Sequence, residues 1–492
     1  ICDGLKPSER KILYACFKRK LKDEIKVAQL SGYVAEHSAY HHGEMSLCAT
    51  IVAMAQNFVG SNNINLLMPL GQFGTRNQGG KEAASARYIF TNLNKVTRHV
   101  FNESDDALMD YIVEEGQRIE PNWYLPIIPL ILVNGAEGIG TGWSTSIPCY
   151  NPREIVENIR NKMKTGTFNE MTPWYKGFQG KIEKNNKGAY TVTGKYEWVE
   201  RNGNTYLIIS ELPIKKWTKD YKEYLEKLMG LETKKEKEEE KKKKKKKGND
   251  SSSSDEKKDK VKVLIEDFKE YHTNNRVNFE IKILDNYIDD YRNDEEKLIK
   301  KFKLQTSINV TNMVLFDKDM KIKKYSKIED IMEEFYEARL NFYERRKNYL
   351  LSSLKRDLEI LDNKVRFILA VINEELVIKK IKRRDLINTL YKNGYTPMSK
   401  INSMKIKSQI EDDIVDHNDA DDEDNSAIVP AKEYDYLLSM SLWSLTYEKV
   451  EELMKNKEAK QKEIDMLSSM SEKDLWENDL KEFVQVLDVN TN

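Results

Sequence analysis

Apolar residues recur at helical spacing near the start of the chain, at Ile12, Leu13, Cys16 and Phe17, and Ser8 stands where a helix cap would. Residues 8 to 31 accordingly read as two short helices around a turn, with Gly32 ending the second. Leu47, Ile51, Met54, Ala55 and Phe58 mark a third helix after His42, and VTRHVF (96–101) is strand-like. Three short helices followed by a strand suit a winged-helix variant of the helix-turn-helix. An ordinary small helical core accounts for the same periodicity equally well.

Further along, TYLIISEL (205–212) and VNFEIKIL (277–284) alternate like half-buried strands, which indicates an α+β region over roughly 170–290. Between them, 232–260 is a run of Lys, Glu, Ser and Asp with almost nothing apolar, the composition of a solvated insert. From Ile328 the pattern turns helical for a long distance: Ile328, Ile331, Phe335 and Phe342 open a stripe that Leu354, Leu358, Leu361, Val365, Ile368 and Ile372 continue. About forty-five residues at about 1.5 Å each reach roughly 65 to 70 Å. A second stretch, Tyr447 to Leu467, is suited to run back along it. The acidic segment 411–427 contains Asp419, Asp421 and Glu423 at metal-like spacing, but no strand or glycine turn presents them, and charge solvation is the better reading.

A chain of 492 residues exceeds one ordinary core, so several domains are expected. Net charge is zero overall, yet residues 1–100 carry thirteen Lys or Arg against seven Asp or Glu, an excess of 13 − 7 = 6 that suits a polyanion. The four cysteines form no C-x-x-C pair, which speaks against a zinc site or a disulfide framework. WYLPIIPLILV (123–133) is too short for a membrane span, and no membrane partner is expected. The start at Ile1, inside a motif, reads as a fragment of a longer chain.

Chemistry concentrates at ASARYIF (84–90), where Arg87 directly precedes Tyr88. A phenol titrates near 10, so as a nucleophile it needs help with its proton or with the charge that develops on attack. Arginine cannot act as the base, but it can bind phosphoryl oxygens in a transition state. With 25 tyrosines in the chain, the pair alone is weak evidence. YHHGEMS (40–46) invites a metal reading through His41, His42 and Glu44 but lacks a third convergent ligand; a phosphate-facing histidine at a helix start fits better. GQFGTR (71–76) and NGAEGIGTGW (134–143) are glycine-rich loops able to cradle phosphate. Ile139, alone among glycines, is either a core plug or a wedge between base pairs.

CDGLKPSERKIL, YHHGEMS, AQNFVGSNN, GQFGTRNQGGKEAASARYIFT, PIIPLILVNGAEGIGTGWS, ELPIKKWT, FKLQTSINVTNMVLF and DYLLSMSLW together closely resemble the breakage-reunion region of eukaryotic type IIA DNA topoisomerases. The cleavage subunit of a bacterial gyrase or topoisomerase IV would be similar in architecture, but usually carries AMRYTE around the tyrosine and a GIAVGM-like loop; this chain has SARYIFT and EGIGTGW.

The resemblance implies an α+β multidomain protein. Its parts would be a winged-helix domain with the tyrosine (1–130), an α/β tower (131–320), a coiled-coil ascending arm (321–400), the acidic insert (401–430), and a dimer gate with returning helix (431–492). Tyr88 matches the nucleophile that forms a 5′-phosphotyrosyl link, Arg87 the transition-state stabiliser, and His42 a histidine at the scissile region. Lys6, Tyr40, Ser46 and Trp217 match DNA-contacting positions, with Arg10, Lys11 and Thr50 nearby candidates. Ile139 matches the isoleucine that intercalates and bends the gate DNA. Lys303, Gln305, Thr306, Ser307 and Asn312 lie in a further DNA-contact segment.

The family works as a nuclear homodimer on double-stranded DNA. Its Mg2+ and ATP are held by Toprim and ATPase domains that would precede the first residue here, so this chain is expected to hold neither. By itself it is expected to bind and bend DNA but to cleave poorly. The competing reading is a non-catalytic, architectural DNA-bending coiled-coil dimer, indifferent to Tyr88 and Arg87.

Overall fold

A computed structural model describes residues 1–140, 142–185, 188–231, 263–378, 380–406, 430–441 and 446–489. The lysine-rich run 232–260 and the acidic segment 411–427 lie outside these residues. The chain divides into two compact units, the first from Ile1–Val100 with Ile112–Phe335, the second from Phe101–Tyr111 with Tyr336–Asn490.

In the first unit, α1 (Pro7–Lys18), β1 (Ile25–Lys26), α2 (Val27–His37), α3 (Glu44–Ala55), β2 (Phe90–Thr91) and α4 (Thr97–Val100) enclose a small core. Helix α1 begins one residue before the expected cap. Pro7 fixes the first helical φ, Lys6 is the cap, and the Glu9 carboxylate accepts the Lys6 N–H at 2.8 Å. Ile12, Leu13, Cys16 and Phe17 are buried as the spacing implies. Gly32 does not end α2, which continues to His37 with Gly32 on its solvent side; one exposed glycine costs a helix only about 1 kcal/mol.

VTRHVF is not a strand. The Asn94 side chain accepts the Val96 N–H at 3.2 Å and its carbonyl accepts the Thr97 N–H, starting helical turns that bury Val96 and Val100 on one face. A two-stranded hairpin forms later instead, from β3 (Tyr111–Glu114) and β4 (Gln117–Pro121).

Beyond α5 (Leu130–Asn134), the segment read as a glycine loop is also a hairpin, β5 (Ala136–Gly140) with β6 (Trp143–Ile147). Helix α6 (Pro152–Thr165) starts where Asn151 accepts the Arg153 N–H and stops at Gly166, whose φ of +81° suits only a glycine well.

The strands β7 (Lys181–Lys184) and β8 (Tyr190–Thr193) join β13 (Gln305–Ile308) in a three-stranded sheet. A four-stranded antiparallel sheet of order β11-β12-β10-β9 uses β9 (Lys195–Arg201), β10 (Asn204–Glu211), β11 (Ile265–Glu270) and β12 (Phe279–Ile283). The two sequence-read strands are its centre. Helices α7 (Thr218–Leu228), α8 (Asp285–Arg292) and α9 (Glu295–Lys301) cover its inner face, through Tyr221, Leu225, Tyr291 and Leu298 against Leu207, Ile209, Phe279 and Ile281. The hairpin β14 (Met313–Phe316) with β15 (Ile322–Tyr325) precedes the long helix.

Helix α10 runs unbroken over Ile328–Ile372, 45 residues. In the second unit, α11 (Arg383–Lys392) and α13 (Asp435–Leu438) gather around Phe367, Ile387, Leu390 and Tyr395, and α12 (Met398–Ser403) buries Ile401. Helices α14 (Tyr447–Ser469) and α15 (Glu472–Val489) follow. Val450 and Leu453 of α14 pack on Val365 and Ile368, and Lys457 reaches Asp362 at 2.5 Å, so α14 returns antiparallel along α10.

At the other end of this helix pair, Asp105 receives Arg339 at 2.8 Å and Arg346 at 2.6 Å, all three buried, and Arg346 also reaches Asp479 at 2.6 Å. Burial disfavours the Arg346 charge, and Asp105 more than compensates, so its pKa stands above the ordinary arginine value. Among the described residues, no helix is long and apolar enough to cross a membrane.

Candidate functional site

Tyr88 is 76% exposed and Arg87 is exposed beside it, whereas Ile89 is buried and anchors the segment. The backbone on both sides is held by the start of α2. Its Ala28 N–H donates to the Ala86 carbonyl at 3.1 Å and its Val27 N–H to the Ile89 carbonyl at 3.0 Å. A tight turn sets Tyr88, its N–H on the Ser85 carbonyl at 2.9 Å. The positive end of an eleven-residue helix therefore backs the Arg87–Tyr88 step, which favours an anion there.

The preceding loop, 71–84, is closed on itself and gripped from two sides. Gly80 N–H donates to the Thr75 carbonyl at 2.9 Å, Thr75 N–H to the Glu82 carboxylate at 2.9 Å, and Ala84 N–H to the Gln72 carbonyl at 2.9 Å. On one side, Gln56, which caps the end of α3, donates its amide to the Phe73 carbonyl at 2.8 Å and the Gly80 carbonyl at 3.3 Å. On the other, the Trp217 indole lies so close to Gly79 that a Cβ there would sit 2.4 Å from the ring. Arg76 pairs with Glu211 at the end of β10 with both side chains buried, and Glu211 also accepts the Gln179 N–H at 3.2 Å.

At the start of α3, His41, His42 and Ser46 are exposed, Tyr40 packs edge-on to His42 at 5.4 Å, and the Thr50 hydroxyl donates to the Ser46 carbonyl at 3.0 Å. His42 sits just before the Gly43 cap, so it stands at the helix entrance as expected. The side chains of Arg87, Tyr88 and His42 make no hydrogen bond or ion pair with one another among the described residues. His41 faces Glu114 of β3 at 3.6 Å.

Ile139 is 92% exposed at the tip of the β5–β6 hairpin, which removes the core-plug reading. Asn312 joins that hairpin: its amide donates to the Ser144 hydroxyl at 2.8 Å, opposite Ile139, and its carbonyl accepts the Ser146 N–H. A cavity of about 960 Å³ gathers Lys6, Arg10, Thr306, Ser307 and Asn312 along its wall, with Lys215 beside them. Gln305 on β13 donates to the Thr193 hydroxyl at 3.2 Å. Lys303 lies over the Tyr224 ring at 4.0 Å; burial lowers its pKa, and neighbouring Lys216 and Lys227 lower it further.

Arg10 and Lys11 fit the DNA-contact expectation poorly. Arg10 is bound to Asp3 at 2.6 Å and to the Leu5 carbonyl, and Lys11 to Glu120 at 2.7 Å and the Ser38 carbonyl. Both cations serve the α1 core. Trp217 is only half-buried and has a second, structural task against Gly79 and Phe58. The sequence reading missed Gln56, Glu82 and the Arg76–Glu211 pair; the doubled Gly79-Gly80 was the one local sign of a close approach.

Among the described residues no group of three or more His, Cys, Asp or Glu side chains converges as metal ligands would. Neither loop has the order of an ATP-binding P-loop: Lys81 follows Gly79-Gly80, but the spacing from Gly74 is off and Glu82 stands where a Ser or Thr would. Among the described residues nothing fits Mg2+ or ATP, both of which the resemblance places in other domains. Burial pushes the Cys16 and Cys149 thiols up to about 12, which leaves them little nucleophilic character.

Comparison with known proteins covers the whole chain. It is 45% identical over 495 residues to DNA topoisomerase 2 of Plasmodium falciparum and 44% identical over 490 residues to human DNA topoisomerase 2-beta, spanning 33% and 28% of those proteins' lengths. The chain thus spans a third or less of these relatives. The crystal structure of the Plasmodium falciparum topoisomerase II DNA-binding, cleavage and re-ligation domain superposes with a TM-score of 0.84 at 44% identity, covering 100% of this chain and 62% of that one. A family model that describes the A subunits of DNA gyrase and topoisomerase IV matches residues 1–481. With motifs, fold and a match along nearly the whole chain in agreement, the chain belongs to the DNA gyrase/topoisomerase IV family of A subunits, on its eukaryotic topoisomerase 2 side.

Proposed function

We propose that this chain is the DNA-gate core of a type II DNA topoisomerase, which cuts one duplex, lets a second pass, and reseals the first. The observation that carries the reading is the exposed Arg87–Tyr88 step, fixed by the α2 N-terminus at the end of a clamped glycine loop, in a chain similar from end to end to DNA topoisomerase 2. The Tyr88 phenolic oxygen attacks a backbone phosphorus, and the bond from phosphorus to the 3′ oxygen breaks. The phenol proton leaves as the new ester forms, and the departing 3′ oxygen takes up a proton. The products are a 5′-phosphotyrosyl link and a 3′ hydroxyl, and reversal restores both strands without outside energy because one ester has been exchanged for another.

Arg87 binds the phosphoryl oxygens as charge grows on them, and the helix dipole adds to that field. His42, with Tyr40, Ser46 and Thr50, faces the scissile region from the α3 entrance. Lys6, Trp217, Lys303, Gln305, Thr306, Ser307 and Asn312 hold the flanking duplex. Ile139 enters between base pairs and kinks it, a few kcal/mol of unstacking being offset by the added contacts. In this reading, residues 1–130 form a winged-helix domain, 131–320 a tower, and the antiparallel helix pair a coiled-coil arm ending in a dimer gate. Two copies act together in the nucleus. Mg2+ and ATP are supplied by parts of the full-length protein other than the residues described here.

The test is Tyr88→Phe in the full-length protein. Relaxation of supercoiled DNA should vanish and denaturant should trap no protein on DNA, while DNA affinity stays within about threefold, since phosphate contacts dominate binding. Retained relaxation would overturn the assignment and leave the architectural DNA binder as the better account.

A further inference from the structure

The loop that delivers Arg87 and Tyr88 is held by a side chain that none of the expectations above includes. Gln56 follows the last residue of α3, and its single amide nitrogen donates to two carbonyls seven residues apart, Phe73 at 2.8 Å and Gly80 at 3.3 Å. The fit leaves no slack. A Cβ on Gly80 would lie 2.3 Å from the Gln56 amide nitrogen, and one on Gly74 would lie 2.5 Å from the Gly80 Cα. Both glycines have positive φ, +80° and +85°, so the loop takes a backbone path that places these carbonyls toward one donor. From Gly80 the chain runs through Ala84, tied to Gln72, to the Ser85 turn that sets Tyr88.

Helix α3 is twelve residues long and straight through in hydrogen bonding, with Ser46 in its first turn, His42 just before its start and Gln56 at its end. A helix of that length is a stiff rod of about 18 Å. Fastening the tyrosine loop to one end of this rod fixes its distance from the groups at the other.

We propose that Gln56 is a positioning residue for the Tyr88 reaction: its amide locks the 73–80 loop to α3 and thereby sets where Arg87 and Tyr88 meet the DNA backbone held at the α3 entrance. The inference rests on the reading of Tyr88 as nucleophile. It follows from the steep dependence of such chemistry on geometry, where a displacement of about 1 Å costs on the order of a hundredfold in rate. The two loop carbonyls occupy the Gln56 amide donor, so its loss is expected to act on the chemical step and leave the phosphate contacts in place.

The experiment uses the full-length protein, an end-labelled linear duplex and Mg2+. Gln56→Met keeps the side chain's length and removes both donated hydrogen bonds. The expected result is a single-turnover rate of covalent capture lowered about tenfold or more, with the Kd for the same duplex within about twofold and a melting midpoint lowered only by the modest cost of two carbonyls losing their donor. A rate equal to wild type overturns the proposal. So does a rate that falls only in step with Kd and melting midpoint, which would make Gln56 a purely structural residue.

Should Gln56→Met fail to fold, Gln56→Asn, one methylene shorter with its amide retained, carries the test: the same split is expected at about threefold or more, and equal rates overturn the proposal. Failure of both to fold assigns Gln56 to the core and also overturns it. Tyr88→Phe is run alongside. If that variant still captures DNA, the nucleophile reading fails; if it does not and Gln56→Met behaves as wild type, only the present inference fails.

Discussion

At the scale of single residues, the most informative side chain is Ile139, because its exposure of 92% has no folding rationale. An isoleucine left in water forgoes about 2 kcal/mol of burial that a core position would return. Replacing Ile139 by Ala should therefore leave the melting midpoint unchanged. In a DNA-bending assay such as fluorescence transfer between duplex ends, the bend should diminish while affinity shifts by less than about threefold, since phosphate contacts carry most of the affinity. Equal bending by the variant would strip Ile139 of its wedge role. The sequence singled this residue out because an apolar side chain among glycines is locally anomalous. It gave no sign that Arg10 and Lys11 are also engaged within the fold: basic residues on an early helix look solvent-facing, and nothing in the pattern announces that Asp3 and Glu120 pair with them. An ion pair as distant in sequence as Lys11 with Glu120 leaves no local periodicity to read.

At the scale of elements, amphipathic spacing made α1, α3, α10, β10 and β12 legible, since each buries apolar residues at its own regular period. Where the reading failed, a local side-chain hydrogen bond or a glycine overruled the period. Asn94 turned VTRHVF into a helical turn, and Gly32 was absorbed into α2 because its neighbours bury Leu30, Ser31 and Val34. The clamped loop shows the same principle in reverse, since its glycines are required by shape. Gly80→Ala should destabilise the first unit by about 2 kcal/mol or more, combining left-handed backbone strain with a clash against the Gln56 side chain. Differential scanning calorimetry checks this. A variant as stable as wild type would mean the loop has an alternative path, and would weaken the case for a fixed tyrosine platform. The Trp217 contact makes the parallel substitution at Gly79 instructive, because the obstacle there is the ring of a residue also assigned to DNA.

At the scale of the whole molecule, the decisive feature is the buried group of Asp105 with Arg339 and Arg346. Both guanidiniums are almost fully removed from water, and Asp105 is the carboxylate they share. Asp105→Ala should cost the second unit about 3–5 kcal/mol, since it strands two buried cations, and a urea titration followed by far-ultraviolet circular dichroism would register it as an earlier loss of helix. A midpoint unchanged from wild type would show that Asp479 alone neutralises the pair. The long helices of this unit were readable from their stripe, but Asp105 was not, for it lies 234 residues from Arg339 along the chain. The segment Phe101–Tyr111 belongs with Tyr336–Asn490, although the chain returns to the first unit at Ile112. Neither unit is therefore a continuous stretch of gene. A recombinant piece begun at Tyr336 would carry the helices without the aspartate that neutralises them, so dissection of this protein calls for grafting the eleven-residue segment Phe101–Tyr111, where a simple cut would fail.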